Sequence, residues 1–348
     1  MSPTPPLPAE SLGFAFADEA LEARVRAGLE AVEQALRDST ESEAPFVTAA
    51  AQHVMVAGGK RFRPLLVLIG AEFGPSPAST DVVLNRDDVV KAAVVVELTH
   101  VATLHHDDVM DEAALRRGSA TANARWDNSV AILSGDWLFA RASDLVADLG
   151  PDAVRIQART FGRLVEGQIR ETLGVSEGQD PLKHYLSVIA DKTGSLIATS
   201  ALFGARFAGA SEDVQESLRA FGEEIGIAFQ LADDILDIAG DSGQSGKTPG
   251  TDLREGVPTL PVLIFRAQAD PSNPDDARLL ELLDSDLTDD ARLAETLELL
   301  RANPAFTQAE DDVRRRAADA RKLLTSLPEG PARQALDSLC DLVVTRSV

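Results

Sequence analysis

Two stretches of this chain, residues 89–104 ("VVKAAVVVELTHVATL") and 225–238 ("IGIAFQLADDILDI"), are apolar on most helical faces. A helix with no polar face cannot lie on a surface, so each is expected at the centre of the fold, covered by other helices. Both end in aspartates. "DDVMD" gives Asp107, Asp108 and Asp111; "DDILD" gives Asp233, Asp234 and Asp237. Buried carboxylates cost several kcal/mol each unless they are paired or bind metal. A fold that puts these helices at its centre must therefore bring cations to their ends.

The rest of the chain is amphipathic at helical period. "DEALEARVRAGLEAVEQALRD" has apolar residues at three- and four-residue steps, and similar patterns recur near 43–57, 62–73, 88–111, 129–149, 152–172, 181–207, 212–239, 257–268, 289–302, 307–326 and 331–345. "GPSPAST" and "ADPSNPDD" read as breaks, and no alternating β-branched run is bounded by hairpin turns. The expected architecture is all-α: one large helical bundle over residues 16–348, after a disordered Pro-rich tail over 1–15.

The formal charge of −23 argues against nucleic acid or an anionic membrane as the main partner. A lone cysteine, Cys340, excludes an internal disulfide framework and fits a reducing cytoplasm. The start has no signal-peptide pattern. The best membrane candidate, "AAVVVELTHVATLHH", is too short to span and is interrupted by Glu97 and His100. A soluble, cytoplasmic protein is expected.

With 33 aspartates in the chain, the triplet spacing arises by chance ~0.3 times, and twice on the order of 0.04 times. The other four Asp-Asp pairs, starting at Asp87, Asp275, Asp289 and Asp311, lack the third aspartate and sit in polar segments or at helix starts. In each triplet the first and fifth positions share a helical face, one turn apart. Hard cations with oxygen ligands suit such a site, and Mg²⁺ prefers a few carboxylates, waters and phosphate oxygens. Neither triplet has an EF-hand loop's spacing.

Basic residues complete an anion site. "GGKRFRP" places Lys60, Arg61 and Arg63 at a helix start. Arg116 and Arg117 follow the first triplet, "DKTGS" adds Lys192 and Thr193, and a Gly-rich loop after the second triplet adds Lys247. There is no Ser-His-Asp order and no zinc-type cluster. So many cationic groups suggest two diphosphates, with the apolar helices lining a dry pocket for a hydrocarbon.

In order, "GGKRFRP", "HHDDVMDEAALRRG", "DKTG", "FQLADDILD" and "GKTPGTDL-EG-PTLP" resemble the trans-isoprenyl diphosphate synthases, or polyprenyl synthetases, over about residues 50 to 265. The resemblance implies the isoprenoid synthase fold, with its helices around a central elongated active-site cavity. It implies a homodimer and two or three Mg²⁺ ions held by Asp107, Asp111, Asp233, Asp234 and Asp237. It implies that Mg²⁺ draws the diphosphate from an allylic substrate, and that the double bond of isopentenyl diphosphate attacks the resulting cation. Lys60, Arg63, His100 and Arg117 are assigned to isopentenyl diphosphate, and Arg116, Lys192, Thr193, Gln230 and Lys247 to the allylic diphosphate. Asp108, Lys192 and Lys247 are counted with the catalytic set, and Arg61 as a support. His106 fits a supporting place beside Asp107. Gln168 and Glu171 fit contacts to magnesium waters. Trp126 and Trp137 read as core. Val257 stands where the family often has lysine, which removes one allylic contact.

Ala102 and Thr103, one turn before Asp107, are small where short-chain members carry bulky aromatics. Thr99, then Val96 and Val95, extend that face by ~11 Å. A long product of about six to ten isoprene units is expected, as a quinone side-chain precursor such as menaquinone needs, with peripheral membrane contact at product release. The alternatives are a geranylgeranyl or farnesyl diphosphate synthase, a class I terpene cyclase, and a regulatory subunit. "GGKRFRP", "RRG" and a second motif built on aspartate argue against the cyclase. The intact triplets argue against the regulatory subunit.

Overall fold

The computed structural model describes residues 16–75, 87–240 and 249–346. The Pro-rich tail and Lys247 lie outside the described residues.

The chain is built from helices: α1 (Glu19–Ser39), α2 (Pro45–Val56), α3 (Phe62–Ala71), α4 (Asp87–Met110), a short hairpin β1 (Leu115–Arg116) and β2 (Ser119–Ala120), α5 (Ala122–Arg125), α6 (Asn128–Asp148), α7 (Pro151–Leu173) and α8 (Pro181–Ile189). A π-helical turn, Ala190–Gly194, leads into α9 (Ser195–Phe207) and α10 (Glu212–Ala239). Then follow α11 (Thr251–Arg254), α12 (Leu260–Gln268), α13 (Pro274–Leu283), α14 (Asp290–Ala302), α15 (Pro304–Leu323), a 3-10 turn at Leu324–Ser326, and α16 (Pro331–Arg346). Side-chain caps start several of them: Asp18 accepts from the Leu21 amide, Asp127 from Val130 and Asp180 from Leu182 and Lys183.

The chain divides into two compact units, one of residues 1–163, 196–222 and 323–336, the other of 164–195, 223–322 and 337–348. In the first, α4 is buried along nearly its whole length, from Val89 through His105. It packs most extensively on α6, and also on α3 and α1. The crossing of α3 and α9 depends on glycine: a Cβ at Gly204 would lie 2.1 Å from the Val67 carbonyl oxygen, and one at Gly70 would lie 2.8 Å from that of Ala201. In the second unit, Ile225, Ala228, Leu231, Ala232, Ile235 and Ile238 bury the C-terminal half of α10. There α8 packs on α12, and α13 on α14.

The all-α expectation therefore holds, with local differences. A hairpin at 115–120 and the short helix α5 fill the stretch between the expected helices 88–111 and 129–149. The expected helix 181–207 is interrupted by the π turn. The helix expected from 257 begins at Leu260, and α13 was not anticipated. Among the described residues no helix is long and apolar enough to cross a membrane.

Candidate active site

In the first unit, α4 carries the first triplet at its C-terminal end. Its two outer aspartates lie toward solvent: Asp107 is half-buried, and Asp111, just past the helix, is exposed. The middle one is different. Asp108 is fully buried, its Oδ1 accepts from Arg116 Nε at 2.5 Å, and its Oδ2 has no hydrogen-bond partner. Burial raises its pKa against the opposing pull of Arg116. Asp108 thus anchors Arg116.

Arg116 and Arg117 sit on the hairpin, where Leu115 pairs with Ala120 and Arg116 with Ser119. The two-residue loop, Arg117 and Gly118, has φ of 54° and 75°. Both positions are left-handed, as a type I′ turn demands. The hairpin is pinned from outside: His53 Nε2 bonds the Ala120 carbonyl at 2.6 Å, and Trp126 meets His53 and Phe46 edge-to-face beneath the Arg125 guanidinium. Trp126, expected in the core, is only part-buried and braces the hairpin from outside.

The "GGKRFRP" segment leads into α3, with Lys60 exposed and Arg61 in the left-handed region at φ 46°. Gly59 allows the approach of two guanidinium groups, since a Cβ there would lie 2.6 Å from Arg61 Nη1 and 2.7 Å from Arg117 Nη1. Arg63 Nε is buried with no hydrogen-bond partner. Burial and the nearby Arg117 lower the Arg63 pKa to about 10, although Glu97 opposes them. His100 feels the same surroundings. Desolvation, then Arg63, Arg117, Arg116 and Arg61, hold its pKa well below the usual imidazole range, so it is neutral at pH 7. Arg63, Arg117, Arg116 and Arg61 thus form a cationic face around the neutral His100 imidazole, and Lys60 is exposed at the start of the same segment.

Beneath the triplet, Ala102 is fully buried and Thr103 nearly so, with the Thr103 hydroxyl bonded to the His100 carbonyl. Thr99 is buried and bonded both to the Val95 carbonyl and to Gln157 Nε2. Gln157 was not foreseen, because a glutamine on an amphipathic helix gives no sign of facing inward. His106, expected beside Asp107, bonds the Ile132 carbonyl at 3.1 Å and lies 3.5 Å from Asp136. Glycine makes that possible: a Cβ at Gly135 would lie 2.3 Å from the His106 ring.

In the second unit, α10 carries the second triplet and repeats the pattern. Asp233 and Asp237 are half-buried, whereas Asp234 is buried. Asp234 accepts from the Tyr185 hydroxyl and, at 3.0 Å, from Gln230 Nε2. Burial pushes its pKa up to about 6. Gln230 in turn accepts from the Thr193 hydroxyl at 3.2 Å. Tyr185, the sole tyrosine, was missed by the sequence reading, which had no contact to assign it. Asp237 accepts from the amides of Thr251 and Asp252 and so tethers α11.

The π turn sets Lys192, which pairs with Glu171 on α7. A Cβ at Gly167 would lie 2.9 Å from the Lys192 amide nitrogen, so the turn needs that glycine. Gln168 Oε1 is buried without a partner. Val257 is partly exposed, and its backbone amide bonds the Asp252 carbonyl.

Among the described residues no three His, Cys, Asp or Glu side chains converge closely enough to hold a metal unaided. An ion that keeps its waters and takes phosphate oxygens needs fewer protein ligands. The outer aspartates of each triplet offer oxygen donors only, one turn apart, as a hard cation requires.

An all-α chain with two such carboxylate ends and a cationic face defines a diphosphate-handling enzyme. The polyprenyl synthetase family profile matches residues 44–300, and the chain belongs to that family, which condenses isopentenyl diphosphate with allylic diphosphates. The match runs past residue 265, where the motifs end. The chain is 48% identical to the nonaprenyl diphosphate synthase of Mycobacterium tuberculosis, over 96% of this chain and 97% of that one. It is 44% identical to a geranylgeranyl pyrophosphate synthase from Corynebacterium glutamicum solved with calcium and isoprenyl diphosphate, with a TM-score of 0.83 over 96% and 99% of the two chains. A decaprenyl diphosphate synthase from Rhodobacter capsulatus is 34% identical, also at a TM-score of 0.83, over 94% and 98%. The fold is the isoprenoid synthase fold, and the protein is a prenyltransferase.

Proposed function

We propose that this chain is a single catalytic domain making a long all-trans-polyprenyl diphosphate of about six to ten isoprene units. The observation that carries the length is the small, buried level formed by Ala102 and Thr103 one turn before Asp107. The nonaprenyl and decaprenyl names of two relatives support it.

Asp107, Asp111, Asp233 and Asp237 would hold Mg²⁺, which when bound supplies charge neutralisation for a departing diphosphate. The calcium in the Corynebacterium structure supports a divalent ion. Asp108 and Asp234 hold Arg116, Tyr185 and Gln230 in register. Lys60, Arg63, His100 and Arg117 bind isopentenyl diphosphate. Neutral His100 offers a hydrogen bond there, not a charge. Arg116, Lys192, Thr193, Gln230 and Lys247 bind the allylic diphosphate, and they do so without a lysine at Val257. The allylic C–O bond breaks, the isopentenyl double bond attacks the freed carbon, and a proton passes to the released diphosphate. A cytoplasmic homodimer supplying a quinone side chain, with peripheral membrane contact at product release, completes the reading.

A geranylgeranyl-length product is the second reading, favoured by the 44% identity to the Corynebacterium enzyme. Purified protein with Mg²⁺, radiolabelled isopentenyl diphosphate and an allylic primer decides between them, with products sized by mass spectrometry. A main product at geranylgeranyl length or below rejects the long-chain reading, and turnover that survives a chelator rejects the metal. Ala102→Phe is expected to shorten the product by several units; an unchanged product would place the growing chain elsewhere.

A further inference from the structure

Beneath the cationic face lies a carboxylate that no step above uses. Glu97 is on α4, three residues before His100, and is 2% exposed. An ion buried that deeply persists only if it is paired, and removing one partner of such a pair is costly. Glu97 Oε1 accepts from Arg61 Nη1 at 3.2 Å. Arg61 is itself buried and also binds Glu33 on α1 through Nε and Nη2 and the Met55 carbonyl through Nη2 at 3.3 Å. Arg61 thus joins α1, the end of α2 and α4 at the start of α3.

The neighbours give Glu97 a second role. Arg61 Nη1 and Arg117 Nη1 both lie against Gly59, and Arg63 keeps an unpartnered buried Nε. Three guanidinium groups gathered in a partly desolvated site repel one another before any diphosphate arrives. Glu97 acts favourably on all three: it raises the pKa of Arg61, Arg63 and Arg117 against the burial that lowers them. Glu33, the other carboxylate on Arg61, lies at the outer side and is partly exposed.

We propose that Glu97 is a positioning residue for isopentenyl diphosphate: through Arg61 and by its charge it keeps Arg63 and Arg117 assembled as a preformed diphosphate cradle. This rests on the assignment of Arg63 and Arg117 to that substrate. A carboxylate near an anion site would ordinarily weaken anion binding. If Glu97 were only a counter-charge, removing it would tighten the site. If it positions the arginines, removing it loosens the site.

The test is steady-state kinetics of full-length Glu97→Gln, Arg63→Met and Glu97→Gln/Arg61→Met, with KM for each substrate measured separately. Glu97→Gln keeps the shape and removes the charge. We expect its KM for isopentenyl diphosphate to rise about 10-fold, with kcat and the allylic KM within about 2-fold. An unchanged or lower KM for isopentenyl diphosphate overturns the proposal, as does an equal rise for both substrates. Arg63→Met monitors the underlying assignment. If it leaves that KM unchanged, the assignment fails; if it raises KM while Glu97→Gln does not, only the role of Glu97 fails. Should Glu97→Gln not fold, the double variant removes both members of the buried pair. It should recover the thermal stability and keep the raised KM, and a wild-type KM in it overturns the proposal.

Discussion

At the scale of single residues, the middle aspartate of each triplet behaves unlike its neighbours. On a helix, positions one and five share a face and position two lies about 100° away, so Asp108 and Asp234 turn inward where the outer pair faces solvent. That much follows from spacing. The partners do not: Arg116 reaches Asp108 only because a hairpin folds back, and Tyr185 comes from another helix. His100 was legible only through its offset from the triplet, and its charge state depends on burial and then on four arginines that the sequence scatters over residues 61 to 117. The consequence can be measured. A histidine held neutral when folded binds fewer protons than when unfolded, so stability is lost as pH falls below the ordinary imidazole range. Thermal melts of the wild type should therefore drop between pH 7.5 and pH 5 by more than those of His100→Gln, and parallel curves would refute the desolvated site.

At the scale of elements, helices with a clean apolar stripe were legible to within a few residues, and α10 matched at both ends. The misses have physical causes. The hairpin hides because its loop is Arg-Gly, and arginine carries no turn signal. The π turn hides because its residues keep the helical apolar pattern on either side. Helix α13 begins inside "ADPSNPDD", with Asn273 as its cap, and so reads as part of a break. Packing between elements is where glycine decides. Gly204→Ala places a methyl 2.1 Å from the Val67 carbonyl oxygen and should cost roughly 1–3 kcal/mol. Gly162, on α7, has nothing within 4 Å of its would-be Cβ. Gly162→Ala should gain about 0.5–1 kcal/mol from helix propensity alone. Denaturant unfolding of the two variants should shift in opposite directions; a shared direction would mean the α3–α9 crossing is looser than described.

At the scale of the molecule, the chain carries a large negative charge yet gathers Lys60, Arg61, Arg63, Arg116 and Arg117 within one compact unit. Composition argued only against nucleic acid or an anionic membrane, whereas the fold sets Arg61, Arg63, Arg116 and Arg117 around one buried histidine. The hairpin tip shows what that concentration demands. Arg117 holds a backbone conformation at φ 54° that asparagine adopts far more readily. Arg117→Asn should therefore melt at a higher temperature than the wild type while losing most of its activity; a variant that melts lower would contradict this. Selection for thermal robustness alone would drift toward asparagine at this turn. On the proposed assignment of Arg117 to isopentenyl diphosphate, an arginine at this turn trades robustness for turnover, and a stabilised version of this enzyme should leave that residue alone.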